Sequence, residues 1–319
     1  MKKRFLSVVI IMTLLCLSFF NYNVSVAAQA DNESRKQVEY YRYDAKTNST
    51  SKFTQTELCN RNGSFNELSS VYKDSEILST AEYVPEHLSI ETKLQSTATP
   101  KGSMVEINPA TGGQYRNTVY ISFKRNNQNY RASGFMIGPA AVVTSGHVLY
   151  SGGNYSTNIV VTPAKANSSA PYGTAEYSGV VVNSEWADNG NSNYDWGIIE
   201  LETNMGDNVG WLGLETKTTS YNNKAIMANG YPGKVNNQPK QTMYKTNGTI
   251  TSSNTYTLLS NNTPGAKGMS GGPVYYYKSE GGYTAIGLVM GATSNGDTAF
   301  IRITRNLFDL LSSYINYRA

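Results

Sequence analysis

The chain has 319 residues and a formal net charge of +4, from 27 Lys and Arg against 23 Asp and Glu. Without a dense basic cluster or interleaved aromatic and basic residues, that near balance excludes an electrostatic nucleic-acid binder. Its two cysteines, Cys16 and Cys59, leave everything after residue 59 free of cysteine. The bulk of the fold must then be held by core and hydrogen bonds rather than disulfides, and the chain is long enough for that.

Lys2, Lys3 and Arg4 precede an apolar run from Phe5 to Phe20, and small residues follow at Val26-Ala27-Ala28 and Ala28-Gln29-Ala30. A basic start, a short apolar core and a small-residue cleavage site predict a secretory signal peptide over residues 1–28. The run is shorter than the ~20 apolar residues of a spanning helix. Bulky Leu14 and Leu15 before Cys16 argue against a lipid anchor there. The expectation is a secreted, extracellular protein with no membrane partner after signal removal.

Residues 29–104 are polar and charged with little regular alternation, and close on Gln95-Ser96-Thr97-Ala98-Thr99-Pro100-Lys101-Gly102-Ser103, an exposed-linker composition. Between a signal and a downstream domain, such a leader reads most simply as a propeptide. A spacer or a small binding module has the same composition.

From Val105 the texture is all-β. Short runs rich in valine, isoleucine and tyrosine recur between Gly, Asn and Pro. Strands are predicted at Thr118–Phe123, Ala141–Thr144, Asn158–Thr162, Val180–Asn183, Gly197–Leu201 and Lys224–Asn229. Further strands follow at Gly248–Thr251, Tyr256–Leu259, Pro273–Tyr277 and Ala285–Met290. Leu307, Leu310, Leu311 and Tyr314 then mark a helical stripe. The expected architecture is one barrel over about 105–205, a second over about 206–303, and a C-terminal helix over about 304–317.

Within 105–319 there is one histidine, His147, in Thr144-Ser145-Gly146-His147 directly after an apolar strand. Asp195 precedes the apolar run Gly197-Ile198-Ile199, where a carboxylate is costly unless it is paired. Ser270 sits in Gly268-Met269-Ser270-Gly271-Gly272-Pro273, whose glycines free the backbone around a hydroxyl. Each residue alone has a structural explanation: a core histidine, a turn-capping aspartate, a loop serine. Together, in the order His, Asp, Ser and each at a strand edge, they predict a chymotrypsin-like triad acting on protein or peptide substrates. His147 takes the Ser270 proton, Asp195 fixes the imidazole tautomer, and Gly268 and Ser270 N–H form the oxyanion hole. Lack of further His and Cys argues against a zinc hydrolase. No cofactor is required, and calcium stays open, since the scattered Asp and Asn residues form no compact ligand loop.

Residues 105–317 resemble the secreted staphylococcal and bacillar glutamyl endopeptidases. The likeness rests on Thr144-Ser145-Gly146-His147, Asp195-Trp196-Gly197-Ile198-Ile199, Gly230-Tyr231-Pro232-Gly233, Gly268-Met269-Ser270-Gly271-Gly272-Pro273-Val274 and Ala299-Phe300-Ile301. The resemblance implies a chymotrypsin-like double β-barrel, with His147 and Asp195 on the first barrel and Ser270 on the second. It implies a monomeric zymogen cleaved near Ser103–Val105, whose new α-amino group faces the substrate's acidic side chain. Met269 cannot form the ion pair that an aspartate makes there in pancreatic-type enzymes.

Specificity is where the chain departs from those relatives. Val289 stands where they carry a pocket histidine, and Gly265 where they carry a small hydroxyl residue. Burying a substrate carboxylate without donors costs several kcal/mol. Preference for Glu must therefore rest on the α-amino group or Lys267, or be lost. The alternative function is a secreted, catalytically silent β-barrel that captures peptides.

Overall fold

A computed structural model describes residues 38–62, 77–85 and 102–319. The expected signal (1–28) and most of the expected linker (95–101) lie outside the described residues.

The leader carries more regular structure than its composition suggests. Strand β1 (Glu39–Asp44) turns into β2 (Ser49–Thr54) and helix α1 (Gln55–Arg61), and β3 (Ile77–Ser79) follows. Helix α1 starts on a capping box: Thr54 Oγ1 accepts from Glu57 N at 3.2 Å, and the Glu57 carboxylate accepts from Thr54 N at 2.7 Å. Strand β1 pairs with β2 on one side and with residues 179–183 of the following domain on the other, and β3 pairs with residues 215–217 of that domain.

That domain begins with edge strand β4 (Met104–Ile107). The first barrel is built from β5 (Thr118–Arg125), β6 (Gln128–Gly138), β7 (Ala141–Thr144), β10 (Thr157–Pro163), β11 (Ala175–Asn183) and β12 (Gly197–Leu201). Helix α2 (Gly146–Leu149) and a small hairpin, β8 (Tyr150–Ser151) with β9 (Asn154–Tyr155), lie between β7 and β10. Helix α3 (Ser184–Asn189) precedes β12. The order β10-β5-β6-β7-β12-β11 closes on itself through β10–β11 pairing. Val119, Ile121, Met136, Val142, Val180 and Ile199 point into its core, each 0% exposed. Strand β6 was not predicted: polar Gln128-Asn129 and the Ser133-Gly134 pair interrupt its apolar pattern. It is joined to β5 by Asn126 and Asn127 at φ 50° and 59°, the left-handed pair a two-residue hairpin turn needs.

Helix α4 (Gly206–Val209) leads to β13 (Gly213–Lys217), β14 (Ala225–Gly230), the short pair β15 (Lys234–Val235) and β16 (Gln238–Pro239), and β17 (Met243–Thr249). Then come β18 (Ser252–Ser253), β19 (Thr257–Ser260), β20 (Pro273–Lys278), β21 (Gly282–Ala292) and β22 (Thr298–Arg302). They form a half-barrel ordered β18-β19-β22-β21-β20-β14-β17-β4, with β13 parallel to β21. Strand β17 lies earlier than the predicted Gly248–Thr251 because β14 pairs with it from Tyr244 to Thr249. Its core gathers Ile226, Met269, Val274, Ile286, Val289 and Phe300.

Helix α5 (Arg305–Ser313) is capped by Thr304, whose hydroxyl accepts from Leu307 N at 3.3 Å, and buries Leu307, Leu310 and Leu311. The last turn tightens to 3-10 geometry at Tyr314–Asn316. The described residues from Glu39 to Ala319, those of the leader included, form one unit. Among the described residues no helix is long and apolar enough to cross a membrane.

Candidate active site

Fully buried Ala141, Val142 and Val143 anchor β7 and bring the chain out at Ser145, where α2 starts and carries His147. Asp195 ends a 3-10 turn at Ser192–Tyr194, immediately before buried β12. Gly146 lets the two segments touch: a methyl group there would sit 3.0 Å from Trp196 N and 2.9 Å from Trp186 Cδ1. The Asp195 carboxylate, on a residue 5% exposed, spans both halves of the histidine. Its Oδ1 accepts from His147 N at 2.6 Å, and its Oδ2 lies 2.8 Å from His147 Nδ1. A carboxylate accepts only, so Nδ1 carries a proton, and in the neutral ring the free lone pair is on Nε2. Arg125 braces the helix behind it, Nη2 donating to the carbonyls of His147 and Val148 at 2.7 Å each.

The Ser270 turn is held by its backbone. Gly268 and Gly271 stand at φ 98° and 82°, where a side chain is strained. Gly233 N donates to Lys267 O at 2.7 Å. In a trans peptide the next N–H points the opposite way, so this bond turns Gly268 N–H out of the loop. Gly268 N–H and Ser270 N–H have no acceptor among the described residues, whereas Met269 N between them is tied to Ala266 O at 3.0 Å. Two such donors on one tight turn are the kind of groups that can receive a negatively charged oxygen.

Contacts from the first barrel lock that turn in place. Ser133 N donates to Ser270 O at 3.0 Å, and Thr144 Oγ1 donates to Ser133 O at 2.7 Å. Ser133 Oγ accepts from Tyr231 N and donates to Gly268 O, both at 2.8 Å. Ser145 Oγ and Gly271 N both donate to Val289 O, at 3.1 and 2.8 Å. The segment carrying His147 is thus tied to the segment carrying Ser270. The Ser270 hydroxyl makes only a 3.5 Å contact to Met290 O, too long to commit it.

The expected specificity residues occupy different environments. Lys267 and Gly265 are exposed; a methyl group at Gly265 would lie 3.2 Å from Thr298 Cγ2. Val289 is 2% exposed and packs in the second core with Met269, itself 0% exposed. Gly102 N donates to Asn262 O at 3.0 Å, so the leader's end runs beside the loop entering Pro264–Lys267. Sequence reasoning missed Ser133 and Arg125, and gave Gly233 no role in the turn. The one available signal was a small hydroxyl residue inside an apolar strand, at Ala132-Ser133-Gly134-Phe135.

A closed barrel carrying a His–Asp pair and a half-barrel carrying a glycine-rich serine turn define a chymotrypsin-like serine peptidase. The comparisons agree: the trypsin family model matches residues 104–310. The chain is 33% identical over 218 residues to the glutamyl endopeptidase of Bacillus licheniformis, spanning 65% of each protein. It is also 32% identical over 236 residues to a Bacillus subtilis protein named extracellular metalloprotease, covering 71% of this chain and 72% of that one. By fold it resembles a Glu endopeptidase solved in complex with MPD (TM-score 0.59, 21% identity, 68% of this chain and 98% of that one). It also resembles the protease Anisep from Arthrobacter nicotinovorans (TM-score 0.55, 23% identity, 67% and 100%). The chain belongs to the trypsin family and is a serine endopeptidase. Trypsin-like serine peptidases need no cofactor, and the described residues hold no group of three or more His, Cys, Asp or Glu able to bind a metal ion.

Proposed function

We propose that this is a secreted, monomeric serine endopeptidase in which His147, Asp195 and Ser270 form the catalytic triad. Ser270 Oγ attacks the scissile carbonyl while His147 Nε2 removes its proton, and the imidazolium formed is stabilised by Asp195. Gly268 N–H and Ser270 N–H receive the developing oxyanion. His147 then protonates the leaving amine, and water hydrolyses the acyl-enzyme by the same path. The observation that carries this reading is the Asp195 carboxylate bridging His147 N and Nδ1, at 2.6 and 2.8 Å. The test is labelling of processed protein with an organophosphonate serine probe. Adduct mass on the Ser270 peptide supports the triad; no adduct on folded protein favours a peptide-capturing barrel.

Residues 1–28 are read as the signal and 29–104 as a leader removed near Ser103–Val105; a family match starting at Met104 supports that boundary. The preferred cleavage is after Glu, with the substrate carboxylate held by the new α-amino group and Lys267. Support comes from the glutamyl endopeptidase relative and from Gly102 lying against Asn262. Val289, packed in the core, offers no donor. Cleavage-site profiling on a peptide library decides this: enrichment of Glu before the cut supports it, and apolar or basic enrichment overturns it.

A further inference from the structure

The described leader meets the peptidase domain along its flanks. Strand β1 pairs in register from Tyr40↔Asn183 to Asp44↔Gly179, on the stretch of β11 that β10 does not cover. Helix α1 buries Leu58 and Cys59 to 0% exposure. Beside them Gln55 Nε2 donates to Asn306 O and Asn62 Nδ2 to Ser313 Oγ, both at 3.1 Å. On the second barrel β3 pairs with β13, Leu214 N donates to Thr80 Oγ1 at 3.0 Å, and the Tyr83 ring stacks 4.2 Å from Trp211.

Two features show that the peptidase domain is shaped for this segment. Glu200, 0% exposed in β12, receives Arg42 Nε at 2.8 Å, Arg61 Nη1 at 2.6 Å and Tyr314 OH at 3.0 Å. Both cations come from the leader, and stripping the partners from a buried carboxylate is strongly unfavourable. The second feature is a pair of glycines whose backbone does not require glycine, since neither has a positive φ. A methyl group at Gly179 would sit 2.9 Å from both Arg42 Nη2 and Tyr43 O. One at Gly213 would run into Thr80 O and lie 3.1 Å from Ala81 C. The atoms nearest each site belong to the leader.

We infer that the leader is a docked fragment: residues 38–62 and 77–85 stay on the peptidase domain after the chain is cut, so the processed enzyme is still one copy of the chain, a monomer made of two noncovalently held fragments. This rests on the reading that the leader is cleaved near Ser103–Val105. It makes the leader a support for the barrels, and its release a separate event from cleavage.

The test uses the full chain carrying Ser270→Ala, with the recognition sequence of a site-specific protease in place of residues 95–101. After complete cutting, the sample is run on size exclusion at micromolar concentration and each fraction is weighed by mass spectrometry. The expected result is co-elution of leader and peptidase fragments at one to one. A leader fragment eluting apart overturns the inference. Gly179→Ala and Gly213→Ala are expected to weaken retention by about tenfold or more each, as a close-packed contact predicts. Unchanged retention in both, with native thermal melts, overturns the docking surface assigned here. Where these variants fail to fold, the parent's co-elution still decides. Intact mass of secreted wild-type protein tests the cleavage position separately: a start elsewhere than 103–105 refutes that boundary and leaves the cut-chain result standing.

Discussion

Two buried carboxylates lie along one short stretch of the first barrel and solve the same problem differently. Asp195, before β12, finds its partners within the peptidase domain, the N–H and ring of His147. Glu200, inside β12, finds its cations on the leader, Arg42 and Arg61. Burial alone would raise the Glu200 carboxyl, but the two guanidiniums outweigh it and hold it below the usual carboxylate range. A buried charge has to be paired in either case. What differs is who holds the partner: for Asp195 it is a group within the domain, as the proposed chemistry needs, and for Glu200 the cations come from the leader, as the inferred docking needs.

The strongest way to break the Asp195 side of that comparison is to remove the groups it is proposed to organise. Ser270→Ala or His147→Ala is expected to lower kcat by about 10⁵-fold or more with the thermal melt unchanged. Full turnover in purified Ser270→Ala protein would sink the triad. Asp195→Asn is expected to cost about 10⁴-fold, because an amide can stabilise the wrong tautomer. A loss under about tenfold would make Asp195 a mere turn cap.

On the Glu200 side, removing both cations with Arg42→Ala and Arg61→Ala in the full chain is expected to lower unfolding free energy by about 3–5 kcal/mol, read from urea denaturation. Turnover of the processed enzyme should hardly change; a large kcat loss at full stability would erase the difference between the two carboxylates. Between the two lies Ser133→Ala, which frees Gly268 O and Tyr231 N from their shared hydroxyl. A fall in kcat of about tenfold with little change in KM is expected, the worth of about one hydrogen bond. A KM effect alone would place Ser133 in substrate binding.

The smallest effect concerns pH. A carboxyl depressed in the folded state contributes stability above its unfolded value of ~4.3 and loses it as pH falls through the folded one. Full-chain urea midpoints should therefore drop below about pH 4, and the part due to Glu200 should vanish in Glu200→Gln. Identical pH slopes for the two proteins would remove Glu200 from the account.

Much of this is legible in the sequence. Periodicity gave the β texture of 105–303, because a half-buried strand writes its two faces into alternate residues. It missed β6, where the polar Ser133 serves the turn rather than the core. The sole histidine after residue 105 made His147 the one candidate base, and an aspartate before an apolar strand marked Asp195 as needing a partner. Nothing in the leader's composition showed that β1 and β3 pair with β11 and β13. Their register depends on strands more than a hundred residues away in sequence.

Residue type and order by themselves determined the barrel class and the chemistry within reach, since glycine freedom, one imidazole and a paired acid are properties of the residues. Tertiary structure alone decided which groups meet. It turned Gly268 N–H outward through Gly233, put Val289 in the core, and set two leader arginines on Glu200. These are long-range contacts, fixed by how strands pack and pair, and no local pattern encodes them.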